Sequence, residues 1–236
     1  MGTSILAAMN QRVHSSTGTA PQRRSSGKEP GRTNDPERTK ANILAVAAQE
    51  FGAKGLAGAR IDAIAAATHT SKRMIYYYFG SKEGLYLAVL EESYRSVRNI
   101  EAQLHLNDLT PEAALRTLVG FTFDHHLAHE NYIRLVMSEN IHRGEYLAQS
   151  QRIQDLNIPA ISAIQHLYER GVAQGVFRPG LDPVDIHASI SALSFFNVSN
   201  RHTFGLIFKL DIQEPTYIAR RRESVIEMVV RFVRLP

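Results

Sequence analysis

The side chains best suited to chemistry fall in Ala59–Lys82, ARIDAIAAATHTSKRMIYYYFGSK. Lys72, Arg73, Tyr76 and Tyr77 crowd one short run, while Ile75 and Phe79, four apart, are the two positions reserved for a core. Cations and phenols are hydrogen-bond donors, and a face made of them binds phosphate oxygens and base edges. A second concentration is Phe121, Phe123, Asp124, His125, His126, His129, Tyr132 and Arg134. His125 and His129 share a helical face at a spacing that can hold a metal, with Asp124 or the more distant His187 completing the set. Against that, eight of the ten histidines lie scattered beyond residue 100, as surface and helix-end decoration would. Aromatic walls with a few polar groups equally describe a small-molecule pocket.

Two short helices must position the first group. Ile61, Ile64 and Ala65 share one face, which predicts a helix over Ile61–Ala67. Thr68-His69-Thr70 forms the turn, and Ser71 is the N-cap of a second helix, Lys72–Phe79. Such a pair, with its outward face of cations and phenols, suits the major groove of DNA. Upstream, Asn34 or Asp35 caps a scaffold helix with Pro36 at its first position and Ile43, Leu44, Ala47, Ala48 and Phe51 as its buried stripe. Gly52 and Gly55 end it. Downstream, Lys82–Leu104 reads as a longer helix with Leu85, Val89 and Val97 down one side.

These pieces in this order resemble the helix-turn-helix of TetR-type bacterial transcription regulators. The resemblance rests on ILAVAAQEFGAKG (Ile43–Gly55), the Ile64-Ala65 pair, Ser71, the run Ile75–Phe79 and SKEGLYLAVL (Ser81–Leu90). It covers residues 36–92 closely and the remainder in architecture. This chain departs from the family at Ala59 and Arg60, where threonine or serine is usual. It departs again at Thr68-His69-Thr70, where His69 occupies the place of a glycine suited to a left-handed turn. The resemblance implies that Tyr76 is a phosphate-binding tyrosine and that Lys82 anchors the DNA backbone from the start of the fourth helix. Base reading then falls to Lys72, Arg73 and Tyr77, with Arg60 a further candidate and Ser71 at the helix start among the DNA-contacting positions. It also implies a ligand cavity in the second domain, with Phe121, His125, His129, Tyr132, Arg134, Met137, Asn140, Phe195 and Phe196 as candidates to line it. The last two long helices are expected to pair with those of a second copy.

Residues 105–236 read as all helix. Thr110-Pro111-Glu112 starts one, Asn131–Ile141 forms another, and Asn157-Ile158-Pro159 opens a third that stops at Gly175. Asp182 and Pro183 begin the next. The last, Pro215–Val233, places Ile218, Val225, Val229 and Phe232 on one face. Residues 1–33 are rich in Ser, Thr, Gly, Gln and Arg with no apolar period, and are expected to be a disordered basic tail whose Arg12, Arg23, Arg24, Lys28 and Arg32 brush DNA or do nothing. The domain division is thus 1–33 tail, 34–82 DNA-binding domain and 83–236 effector-binding and dimerisation domain.

Composition excludes several classes. The 236 residues contain no cysteine, hence no disulfide and no thiolate ligand or nucleophile. No G-x-S-x-G elbow, P-loop, dinucleotide glycine pattern or H-E-x-x-H is present, so no enzyme is expected and no cofactor. No apolar run approaches the roughly 20 residues needed to span a membrane, and Ile5–Met9 is too short for a signal-peptide core. A soluble cytoplasmic protein is therefore expected. The net charge of +4 hides an asymmetry. Residues 1–82 hold 12 Lys/Arg and 5 Asp/Glu, against 15 and 18 in residues 83–236, so the basic half is the half with the reader. Positive charge there supplies sequence-independent affinity for phosphates.

The reading is an all-helical homodimeric regulator, expected to be a repressor released from a palindromic double-stranded DNA operator by a small-molecule effector, an aromatic or heterocyclic acid. Two rivals are a metal-responsive regulator using His125/His129 and a non-specific DNA-binding protein.

Overall fold

A computed structural model describes residues 35–236, so the basic N-terminal stretch lies outside the described residues. The first element, α1 (Pro36–Gly58), begins where its cap residues dictate: the Asp35 carboxylate accepts from the backbone N–H of Glu37 (3.1 Å) and Arg38 (3.2 Å), and Pro36 occupies the first turn. Gly55 interrupts it at φ 67°, a conformation that glycine adopts at little cost. Next come α2 (Ile61–Ala67) and α3 (Lys72–Phe79), with the bounds expected from the apolar spacing. Between them His69 takes the left-handed conformation at φ 51° despite its Cβ. The turn is held by the Thr68 hydroxyl, which donates to the Ile64 carbonyl at 2.8 Å.

A long helix, α4 (Lys82–Glu101), leaves this unit, capped by Ser81 accepting from the Gly84 N–H at 2.9 Å. It ends in two short 3-10 turns before α5 (Pro111–Ala128) and α6 (Glu130–Ile141). The fourth predicted start moves: α7 (Gln151–Ala173) begins eight residues before Pro159, because Ser150 caps it at the Ile153 N–H. Pro159 therefore sits inside the helix, where it has no N–H to give the Asp155 carbonyl. Then follow α8 (Pro183–Ser199), capped by Asp182, an unanticipated α9 (Arg201–Phe208), and α10 (Pro215–Val233). The buried stripe of α10 is Val225, Ile226, Val229, Val230 and Val233. Phe232, expected on that face, is instead 38% exposed under the Arg178 guanidinium.

Two hydrophobic clusters form the interior. One gathers Ile43, Phe51, Ile64, Ile75, Leu85 and Tyr86 around the reader, and it draws in Leu135 of α6 and Ile153 of α7. The other joins Leu118, Phe123, Ile164, Phe177, Ile190 and Val229 from α5, α7, α8, α10 and the loop after α7. Helix α4 contributes to the first and runs on beside α7, so it connects the two regions.

Candidate nucleic-acid interface and effector cavity

The reader is built from the inside out. Ile75 is completely buried and pins α3 to α2 and α4, so its neighbours at other angles of the helix point away. Tyr77 is 77% exposed and Tyr76 44%. Lys72 and Arg73 are exposed on the first turn, next to Ser71, whose hydroxyl accepts from the Met74 N–H at 3.2 Å. The cations differ in commitment. Asp62 of α2 pairs with Lys72 and stands 3.8 Å from Arg60. Arg73 makes no ion pair among the described residues. Lys82 is half-buried, and its ammonium donates to the Ala57 carbonyl at 3.2 Å, tying the start of α4 to the end of α1. Tyr78 and Phe79 are partly buried; Lys40 of α1 lies 5.5 Å from the Tyr78 ring centre.

The second concentration of side chains divides. Phe121, His125, Tyr132 and Phe195 line an interior cavity of about 210 Å³. His129 lies just outside, in a separate surface groove between α1, α4 and the α5–α6 junction, and its Nδ1 sits 2.9 Å from the His125 carbonyl. Four further candidates do not reach the cavity either. Arg134 turns to α1, where its guanidinium donates to the Gly52 and Ala53 carbonyls left open at the kink. Asn140 is exposed and bonds back to the Val136 carbonyl. Met137 is half-buried elsewhere on α6, and Phe196 faces Phe204 of α9.

In their place the structure brings His126, His187, Tyr94, Arg98 and Glu101 to the cavity wall. A signal for the last three was present: Leu90, Tyr94, Val97 and Glu101 continue one face of α4 at helical spacing, with Arg98 beside it. Arg98 and Glu101 form an ion pair at the cavity's edge. His125 and His126 are buried, and both ring nitrogens of His125 and Nδ1 of His126 lack a hydrogen-bond partner. Burial pushes the His125 imidazole down to about 4, helped by His129, His126 and Arg98; burial does the same for His126, also to about 4, helped by Arg98, His187 and His129. Both rings are therefore neutral at pH 7, each with a donor and an acceptor. Burial raises the Tyr132 and Tyr94 phenols, which stay protonated and packed edge to face at 5.6 Å.

The metal alternative loses its geometry. The His125 and His129 rings stack at 4.0 Å with planes 17° apart, so their in-plane lone pairs run side by side instead of converging on one point. Asp124, the proposed third ligand, is held by the Arg222 guanidinium at 2.9 and 3.0 Å. No group of three or more His, Asp or Glu among the described residues is arranged to hold a metal ion.

Comparison with known proteins agrees with this layout. Residues 43–89 match the model of bacterial regulatory proteins of the tetR family, and residues 111–229 match the model of the tetracyclin repressor-like C-terminal domain. The chain is 34% identical over 203 residues to the HTH-type transcriptional repressor NicS of Pseudomonas putida, covering 86% of this chain and 96% of that one. It is 36% identical over 140 residues to the repressor SCO4008 of Streptomyces coelicolor, covering 58% of this chain and 69% of that protein. Among solved structures, the protein SCO4942 of Streptomyces coelicolor superposes with a TM-score of 0.62 at 27% identity, over 84% of this chain and 99% of that one. No helix among the described residues is long and apolar enough to cross a membrane. The chain belongs to the TetR family of DNA-binding transcription regulators, whose members are not enzymes.

Proposed function

We propose that this protein is a homodimeric repressor that holds a palindromic operator with one α3 from each subunit and lets go when a small molecule fills the cavity of the second domain. The observation that carries this is the uncovered face of α3. Its phenols and cations are exposed, its one fully buried residue is on the opposite side, and α4 links it directly to a cavity lined by unpartnered polar groups. Tyr76 and Lys82 take the phosphate backbone, Arg73, Lys72 and Tyr77 the base edges, and Arg60 and Ser71 the flank. The domains divide near residue 82, with the cavity and the dimer contacts beyond it.

Repression is supported by the two relatives named as repressors. Dimerisation is supported by the apolar side chains that α8, α9 and α10 leave in solvent: Val184, Phe196, Leu206, Ile207, Phe208 and Met228. A single short α3 also spans too few base pairs to specify a site, whereas two on a two-fold axis read half-sites about one helical turn apart. The effector class the cavity favours is a small aromatic or heterocyclic acid, met by aromatic walls and surplus donors.

The experiment is equilibrium binding of a selected operator to wild type and to Tyr76→Phe, Lys82→Ala and Arg73→Ala. The first two weaken binding to every sequence, while Arg73→Ala also erodes the preference for the operator. Equal loss by Arg73→Ala on operator and scrambled DNA contradicts its base-reading role.

A further inference from the structure

The Arg98–Glu101 pair lines two spaces at once. On one side is the interior cavity; on the other is a groove of about 440 Å³ between the last turn of α4 and the proline-bearing stretch of α7, bordered by Ala102, Arg152, Asp155, Pro159 and Ala163. The pair is thus a partition between an enclosed cavity and a surface groove. It is also a lopsided partition. Glu101 engages Nη1 of Arg98, while Nε of Arg98 is buried without a partner. The Glu101 carboxylate is itself poorly placed: burial holds its carboxyl above the ordinary range although Arg98 stands beside it. Facing the cavity, the neutral His125 and His126 rings and the Tyr94 and Tyr132 phenols add further donors. Donors therefore outnumber settled acceptors around Arg98. Helix α7 lacks one backbone N–H beside the groove, at Pro159, and so is less tightly bonded there than elsewhere.

We propose that the groove between α4 and α7 is the effector's way in, that Arg98–Glu101 is its gate, and that a single-ring aromatic carboxylate opens it by taking Arg98 from Glu101. This rests on the reading of the interior cavity as the effector site and specifies how that site is reached and read. Planar carboxylate and guanidinium match in two parallel hydrogen bonds, which the Glu101 contact through one nitrogen does not satisfy. Because both gate residues sit on the last turn of α4, the exchange releases Glu101 from its partner at the end of the helix whose other end carries Lys82. Ligand binding and helix position are thereby coupled as differential affinity for two states requires.

The test measures affinity and association rate by stopped-flow tyrosine fluorescence and calorimetry, with benzoate, 4-hydroxybenzoate and a small panel of single-ring aromatic carboxylates against their uncharged carboxamides. At least one carboxylate binds tenfold or more tighter than its amide. Glu101→Gln, which removes the competing charge at constant shape, tightens that carboxylate severalfold and leaves the amide unchanged. Ala163→Leu with Ala102→Leu, both on exposed groove positions, slows carboxylate association at least fivefold. Thermal unfolding confirms that each variant is folded. No binding by any carboxylate, equal binding of acid and amide, weaker carboxylate binding in Glu101→Gln, or an unchanged association rate in the groove variant each overturns the proposal. Phe121→Trp, which fills the cavity, separates the two levels. If it weakens acid and amide alike while the gate variants do nothing, the cavity reading stands and the gate falls; if it weakens neither, the cavity reading falls too.

Discussion

Glu139 is 3% exposed, carries a carboxyl group, and makes no ion pair among the described residues, yet α6 keeps it. Three donors explain this. The Tyr86 hydroxyl of α4 donates at 2.9 Å to one oxygen, and the backbone N–H groups of Leu147 (2.9 Å) and Tyr146 (3.2 Å) donate to the other. One side chain thus fastens α6 to α4 and to the loop before α7. Glu139→Ala removes all three hydrogen bonds at once. The Tyr86 hydroxyl is enclosed, and leaving a buried donor unmet costs about 1–3 kcal/mol. The two loop N–H groups are half-buried and recover part of their loss by reaching solvent. The sum is about 3–5 kcal/mol, which for a chain of this size lowers the thermal midpoint by roughly 10 °C. Tyr86→Phe should cost about 1 kcal/mol, and the double variant should be less damaged than the singles added together, because no hydroxyl is stranded. A coupling of about 1–2 kcal/mol is expected from the cycle. The assay is urea unfolding followed by circular dichroism at one fixed protein concentration. A loss below about 1 kcal/mol for Glu139→Ala, or strict additivity in the cycle, refutes the latch.

Other consequences follow from the same contacts. Since His125 and His126 titrate lower in the folded chain than unfolded, the folded state binds fewer protons; stability is intact above about pH 6.5, the ordinary histidine value, and falls as pH drops toward about 4. Each histidine contributes a slope of up to ~1.4 kcal/mol per pH unit, and His125→Asn with His126→Asn should flatten the unfolding profile over that window. Gly171 is buried with the Phe177 ring against the place a Cβ would take, so Gly171→Ala should cost about 1–3 kcal/mol by overpacking, read as a lower urea midpoint. Lys82→Ala should reduce the salt dependence of DNA binding by about one counterion. Arg73→Ala should lose about 1–3 kcal/mol on the operator and much less on scrambled sequence.

The reader was legible because several local signals coincide there. Ile61, Ile64 and Ile75 give the apolar spacing, Ser71 the cap, and Asp35-Pro36 the first start, and each falls where expected. The second domain was less so, for identifiable reasons. Pro159 is a strong helix-start signal, and here the Ser150 cap and the buried Ile153 override it. Helix α9 reads RHTFGLIF, three polar residues followed by an apolar run, and its two turns are too short to show a repeating period. The cavity depends on which helices approach one another, information that local spacing does not contain. Phe121, His125, Tyr132 and Phe195 reach it, whereas Arg134 is drawn off by open carbonyls at the kink in α1, a tertiary contact over eighty residues away in sequence. Arg98 and Glu101 sit at the end of α4, and it is the approach of α5 and α8 that makes them part of a cavity wall.

The most direct test of the account is selection of genomic DNA fragments by the purified protein at ~150 mM salt, where phosphate-only binding is suppressed. The account predicts enrichment of one palindrome whose half-sites lie about one helical turn apart, bound by a dimer and lost in Arg73→Ala. Binding without an enriched sequence, collapsing as salt rises, would contradict it and return the protein to non-specific DNA binding.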